Sequence, residues 1–297
     1  MPSSPRKKIQ PSKKPRRIGI HTSIAGGIQK AAERARDIGC TTLQIFSSSP
    51  RQWAASELSH LHCEHFLRLR NEYDLKPLVI HTNYLINLAS SDQLFLQKSI
   101  EAFRGEVERA LDICADYLVL HPGSFRGADR SRGLLQTAAA IAASTKGLEL
   151  EKGGLTILIE NSAGAEFSLG GSFEQVAEVI HDLRDIIPVA ACIDTCHTHV
   201  SGYEIVAEKG FRETLASLDR IIGLEHVRVW HCNDAKAQRG SKLDRHQHIG
   251  RGVIGLEPFR RLLNHPRLAH AAFIAETPSD EPDDDRNNVA TLKSLAA

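Results

Sequence analysis

The sequence predicts a single (β/α)8 barrel of the α/β class, with its active site at the C-terminal ends of the strands. Three observations carry that reading. Eight short β-branched or apolar runs recur along the chain, and amphipathic stretches with helical spacing lie between them. Runs such as LVLH (118–121) and ILIE (157–160) are apolar on both faces, as a parallel sheet covered throughout requires. A chain of 297 residues, with 41% hydrophobic and 25% charged side chains, fits one large α/β domain and is too apolar for a disordered protein.

In chain order, residues 1–17 are set apart as a disordered basic arm. They hold Arg6, Lys7, Lys8, Lys13, Lys14, Arg16 and Arg17 and no acid, with Pro and Ser between them and no apolar period. The formal charge of +1 hides this, because 30 basic side chains then face 36 acidic ones in residues 18–297, the barrel domain. Such an arm attracts polyanions by counterion release, or serves only as a solubilising leader. Strands are expected at 18–22, 42–47, 77–81, 117–121, 155–160, 189–194, 226–231 and 272–276, where the apolar runs fall. Helices are expected at 26–38, 61–73, 92–113, 134–148, 172–183 and 257–263, with Ser172 and Gln175 making a capping-box pattern. Stretches 201–210 and 233–255 read as long loops, and in a barrel the loops after the strands build the active site. An open doubly wound sheet is disfavoured, since GIHTSIAGG after the first strand lacks the GxGxxG order.

No apolar run is long enough to span a membrane; the longest, around 186–193, is interrupted by Pro188. Cys40, Cys63, Cys114, Cys192, Cys196 and Cys232 form no CxxC pair, which predicts reduced thiols and a cytoplasmic setting. The unusual count is 15 histidines.

Their positions matter more than their number. The expected strands end in His21, His81, His121, Glu160, Asp194, His231 and Glu276; His197 follows the sixth strand, and the loop after the seventh carries Asp244 and His246. All these termini point into one bowl. Imidazoles and carboxylates are the ligand set of zinc and other first-row divalent ions, and several carboxylates can share a desolvated cavity only if cations neutralise them. Nine ligands (His81, His121, Glu160, Asp194, His197, His231, Asp244, His246 and Glu276) suggest two or three ions. Paired ions clamp a phosphoryl oxygen and activate water, so phosphoester hydrolysis is the chemistry expected. His199, His226 and His248 read as supporting or surface groups, and His60, His62 and His65 as helix residues without a role.

Several motifs resemble endonuclease IV, the metal-dependent apurinic/apyrimidinic endonuclease family (AP endonuclease family 2). They are HTSIAGG, FSSSPRQW, HTNYLINL, HPGS, IENSAG, CIDTCH, WHCNDAK, GSKLDRHQHIG and Glu276-Thr277, in order from about residue 18 to 278. The resemblance implies a DNA-repair hydrolase with three zinc ions, Mn2+ being possible in some positions. It would cut duplex DNA 5′ to an abasic nucleotide, leaving a 3′-hydroxyl and a 5′-deoxyribose phosphate. Carried over by motif, His81, His121 and Glu160 hold one ion. Glu160 bridges to a second, which takes Asp194, His231 and Glu276; His197, Asp244 and His246 hold the third. Glu276 orients the nucleophile or accepts its proton, and Glu160 is the other catalytic carboxylate. Arg51 and Tyr84 match positions that enter the duplex beside a flipped abasic nucleotide. Lys236, Arg239, Lys242 and Arg245 are candidate phosphate contacts, or simply a solvated loop. The resemblance further implies a monomer acting on double-stranded DNA, without a membrane partner and, in a bacterium, at the nucleoid. Thr22, Thr82, Asn83 and the SSSP before Arg51 depart from the family's usual residues, and none is a ligand. The alternative reading is a sugar isomerase or epimerase with a single divalent ion on a similar barrel, and the extra His2Asp set argues against it.

Overall fold

The computed structural model describes residues 15–53, 59–127 and 129–296. Eight parallel strands close into a barrel: β1 (Arg17–His21), β2 (Thr42–Phe46), β3 (Leu78–His81), β4 (Tyr117–Leu120), β5 (Thr156–Glu160), β6 (Val189–Asp194), β7 (Val227–His231) and β10 (Ala272–Ala275). The last strand pairs with both β7 and β1, which closes the ring. Two short strands, β8 (Asp234–Ala235) and β9 (His246–Gln247), pair antiparallel in the segment between β7 and β10.

Helices link the strands: α1 (Ile28–Asp37), α2 (His60–Glu72), α3 (Gln93–Asp112), α4 (Arg130–Thr145), α5 (Leu150–Gly153), α6 (Phe173–Leu183), α7 (Thr195–Ser201), α8 (Glu208–Ile221), α9 (Leu256–Asn264) and α10 (Asp284–Leu295). The main core lies between this helical layer and the sheet; Phe66, Phe103, Phe173, Phe259 and Phe273 are among its fully buried members.

A second, smaller apolar cluster includes Val79, Val119, Leu158, Cys192, Val229 and Ile274, one residue from each of six strands. Side chains alternate across a strand, so the residue two positions further on faces the same way. Those residues are His81, His121, Glu160, Asp194, His231 and Glu276. The apolar plug thus forms the floor on which the ionisable groups stand, and the period of two delivers all six to one end.

The strands fall within a residue or so of the expected positions. Arg17 belongs to β1 rather than to the arm: its guanidinium lies 2.7 Å from the Asp74 carboxylate and bonds the Asp74 carbonyl at 3.0 Å. Residues 1–14 of the expected arm lie outside the described residues. The capping box at Ser172 is not formed, because the Gln175 side chain accepts from the Gly170 N–H at 2.8 Å instead. The stretch 201–210 is only partly loop, since α7 ends and α8 begins within it. α5, α7, α8 and α10 are additions to the expected helices, and α4 starts at Arg130, four residues early, where the Asp129 side chain accepts from the Arg132 N–H and caps the first turn.

Candidate metal centre

The bowl above the plug encloses about 360 Å³ and is lined by His21, Phe46, His81, Tyr84, His121, His197, Asp244, His246, Glu276 and Thr277. Donor atoms of the expected ligands fall into contiguous groups within 4.8 Å: His81, His121 and Glu160; then Glu160, Asp194, His231 and Glu276; then Asp194, His197 and His246. Glu160 belongs to the first two groups and Asp194 to the last two. Asp244 joins the third set from the rim, with Oδ2 3.3 Å from His197 Nε2 and Oδ1 3.2 Å from His246 Nε2.

Backbone carbonyls fix the imidazoles. His81 Nδ1 donates to the Thr82 carbonyl at 2.8 Å, His197 Nδ1 to Asn161 at 2.9 Å and His246 Nδ1 to Glu276 at 2.9 Å. A carbonyl only accepts, so each of these rings carries a proton on Nδ1 and turns Nε2 into the bowl, where it can bind a cation once any proton on it is displaced. The His246 Nε2 atom is buried and makes no hydrogen bond of proper geometry despite the nearby Asp244 oxygen. His231 is turned the other way: Nε2 donates to Gln44 Oε1 at 2.8 Å and Nδ1 faces Glu160 at 2.9 Å.

These distances fit cations. Ligands about 2.0–2.1 Å from a tetrahedral zinc stand about 3.3 Å from one another. His81 and His121 Nε2 lie 3.1 and 3.5 Å from Glu160 Oε2, and His231 Nδ1 is 3.2 Å from Glu276 Oε2. Nitrogen and oxygen donors in this mixture suit zinc, manganese or a similar ion.

The electrostatics say the same. Burial disfavours the charged form of His81 and His246, yet the buried carboxylates outweigh it and carry both up to about 9. His197 and His231 are raised too, against the same burial, by the charges of Asp194 and Glu276 respectively. Burial pushes Glu160, Glu276 and Asp244 up, but the imidazoles around them win and hold all three below the usual carboxylate range. Without cations the carboxylates retain protons on their histidine neighbours; divalent ions take over that neutralising role.

Two uncharged residues organise the cluster, and neither is prominent in the sequence. The Gln44 amide donates to Glu276 Oε1 at 2.5 Å and to His21 Nδ1 at 2.9 Å while accepting from His231, so one side chain aligns three site groups. Asn233 donates to Asp194 Oδ2 at 2.5 Å, and its Oδ1 accepts the Glu276 N–H at 2.7 Å. Gln44 lies between apolar residues in TLQIF, where inward facing is its only signal; Asn233 lies in the WHCNDAK string.

Of the expected DNA-contacting residues, Arg51 and Tyr84 stand together at the rim. The Tyr84 N–H bonds the Pro50 carbonyl at 3.1 Å, and the Tyr84 ring, 67% exposed, rests edge-on against Phe46 at 5.3 Å. Lys242 and Arg245 line an adjoining groove of about 650 Å³ that shares Tyr84, His121 and Asp244 with the bowl. Lys236 is exposed, whereas Arg239 is bound to Glu204. Among the described residues, no helix is long and apolar enough to cross a membrane.

A family model described as a xylose isomerase-like TIM barrel matches residues 32–296. A protein of Solibacter usitatus named probable endonuclease 4 is 47% identical over 283 residues, covering 94% of this chain and 97% of its own. One of that name from Chloroflexus aurantiacus is 40% identical over 284 residues, covering 94% and 98%. The crystal structure of endonuclease IV from Thermus thermophilus superposes with a TM-score of 0.82 at 34% identity, over 94% of this chain and 98% of that one. A D-tagatose 3-epimerase-like protein shares the fold at a TM-score of 0.69, with 19% identity over 93% of this chain and 96% of its own. With a barrel rim that brings the expected residues together, and with relatives alike over nearly the whole length, this chain belongs to the endonuclease IV family of xylose isomerase-like TIM barrels.

Proposed function

We propose that the protein hydrolyses the backbone of duplex DNA 5′ to an abasic nucleotide, leaving a 3′-hydroxyl and a 5′-deoxyribose phosphate. In this reading three zinc ions are held by His81, His121 and Glu160; by Glu160, Asp194, His231 and Glu276; and by His197, Asp244 and His246. The observation that carries it is the convergence of eight of the nine expected ligands in three overlapping donor groups that share Glu160 and Asp194, with Asp244 reaching His197 and His246 from the rim. When bound, zinc supplies positive charge for phosphoryl oxygens and brings the pKa of water to about 7.

The chain's own residues do the rest. Glu276 reaches the bowl with one oxygen held by Gln44, where it can orient an attacking water or accept its proton. Gln44 and Asn233 prevent it from swinging away, which keeps the acceptor oriented. In this reading Arg51 and Tyr84 enter the duplex and fill the gap of an extruded nucleotide. A site lacking its base is cheap to unstack, so extrusion itself selects damage. Lys242 and Arg245 face the groove beside the bowl and suit backbone phosphates.

The epimerase alternative shares the barrel but has no use for a third set at His197, Asp244 and His246. A duplex with one tetrahydrofuran abasic analogue, tested beside a panel of ketoses, separates the two. Strand incision 5′ to the analogue is expected; ketose turnover without incision would overturn the proposal.

A further inference from the structure

The segment after β9 reads GRGVIG over residues 250–255 and runs directly into α9. This GxGxxG order in front of a helix has the form of a phosphate-cradling loop, in which backbone N–H groups converge on an anion. Here the anion is part of the chain. The Asp234 carboxylate is fully buried, and its Oδ2 accepts from the N–H groups of Gly250 at 3.0 Å, Gly252 at 3.1 Å and Gly255 at 3.1 Å. Its Oδ1 accepts from Ala235 at 2.8 Å and Ile254 at 2.9 Å. Five donors and two oxygens leave no place for a ligand phosphate. Gly252 is the tight point, since a Cβ there would lie 2.4 Å from the Ala235 carbonyl and from Asp234 Oδ1.

The clamp is coupled to the bowl through backbone. Asp234 and Ala235 form β8, which pairs with β9 so that Ala235 stands opposite His246. The Lys236 N–H bonds the Arg245 carbonyl at 2.9 Å, and the Val253 N–H bonds the Ala235 carbonyl at 2.9 Å. Ala235 is therefore held between the ligand strand on one side and the glycine loop on the other. The adjacent Asn233 turns inward to Asp194 and Glu276, so neighbouring residues serve the metal bowl and the loop in opposite directions.

We propose that Asp234 is a positioning residue: by filling this nest it fixes the loop that delivers Asp244 and His246, and so governs occupancy of the third cation site. The proposal rests on the three-cation reading above. Asp234→Asn keeps the shape but offers one acceptor oxygen instead of two, leaving two or three of the N–H groups facing an amide NH2. Zinc content per chain and backbone amide exchange over residues 244–255 are to be measured for the wild type and for this variant, with Gly252→Ala as a second perturbation of the same nest.

The expected result is loss of one zinc of three from Asp234→Asn and amide exchange at least tenfold faster across 244–255, with the β3 and β5 segments unchanged. Three zincs retained with unchanged exchange would overturn the role of Asp234. If Asp234→Asn does not fold, Gly252→Ala is read by the same two measurements, and the same outcomes support or overturn the role. A wild-type chain holding fewer than three zincs would sink the three-cation reading, whereas the exchange comparison, which needs no cation, would still decide whether Asp234 fixes the loop.

Discussion

Replacing Glu160 by Gln keeps the side-chain shape and removes one negative charge where four imidazoles converge, those of His81, His121, His197 and His231. The carboxylate is fully buried, 2.9 Å from His231 Nδ1, 3.1 Å from His81 Nε2 and 3.5 Å from His121 Nε2. In the proposed assignment it belongs to two of the three ligand sets, so the substitution strips a charged oxygen from both, while His197, Asp244 and His246 keep all their donors. Removing one partner of a buried charge pair costs about 3–5 kcal/mol. At about 1.4 kcal/mol per factor of ten, the first two cations should each bind about 10²–10⁴-fold more weakly. Zinc content after dialysis should fall toward one per chain, and single-turnover incision of an abasic duplex should drop at least about a thousandfold, near 4 kcal/mol of barrier. Circular dichroism should show the barrel intact. A Glu160→Gln protein that keeps its full zinc content and wild-type turnover would refute the reasoning that this carboxylate joins two sites.

Glu276→Gln should keep most zinc and DNA binding and lose about 10²–10⁴-fold in incision rate, the usual contribution of a general base; an unchanged rate would remove Glu276 from proton transfer. Tyr84→Ala should weaken binding to abasic duplex by about 1–3 kcal/mol, the worth of one aromatic stacked on a base, and barely alter binding to intact duplex. Equal losses on both, measured by fluorescence anisotropy, would make Tyr84 a backbone contact only. In chelated protein, His81 and His246 hold their protons up to about 9. The stability they contribute is fully present below about 6.5 and is lost as pH rises through about 9. The Tm of chelated protein should therefore fall between pH 6.5 and 9.5, by at least about 3 °C, and that of zinc-loaded protein should not. A chelated Tm that rises across that window contradicts the account.

The candidate ligands are legible in the sequence because strand periodicity and ligand chemistry coincide: an apolar residue such as Val79 or Val119 is followed two positions later by a histidine, and the period of two puts both inside the barrel. Gln44 and Asn233 are not, since a neutral amide in a strand or turn carries no sign of which charged groups it will meet. Asp234 is hidden for a related reason, because its partners are backbone N–H groups that every sequence has. α8 is masked because Gly210 interrupts its helical pattern with a residue of low helix propensity. The structure shows why glycine stands there: a Cβ would lie 2.0 Å from the Glu204 side chain. Arg239 illustrates the limit of reading charge along a loop, since its guanidinium is bound to Glu204, more than thirty positions away in sequence.

Everything rests on one bowl gathering several cations between distant strand ends. Elemental analysis of the purified protein, followed by incision assays on one abasic duplex after chelation and after graded return of zinc, tests this most directly. Three zinc ions per chain are predicted, with incision abolished by chelation and restored only as the sites fill. A fully folded chain that holds no metal and still cuts at full rate would contradict it.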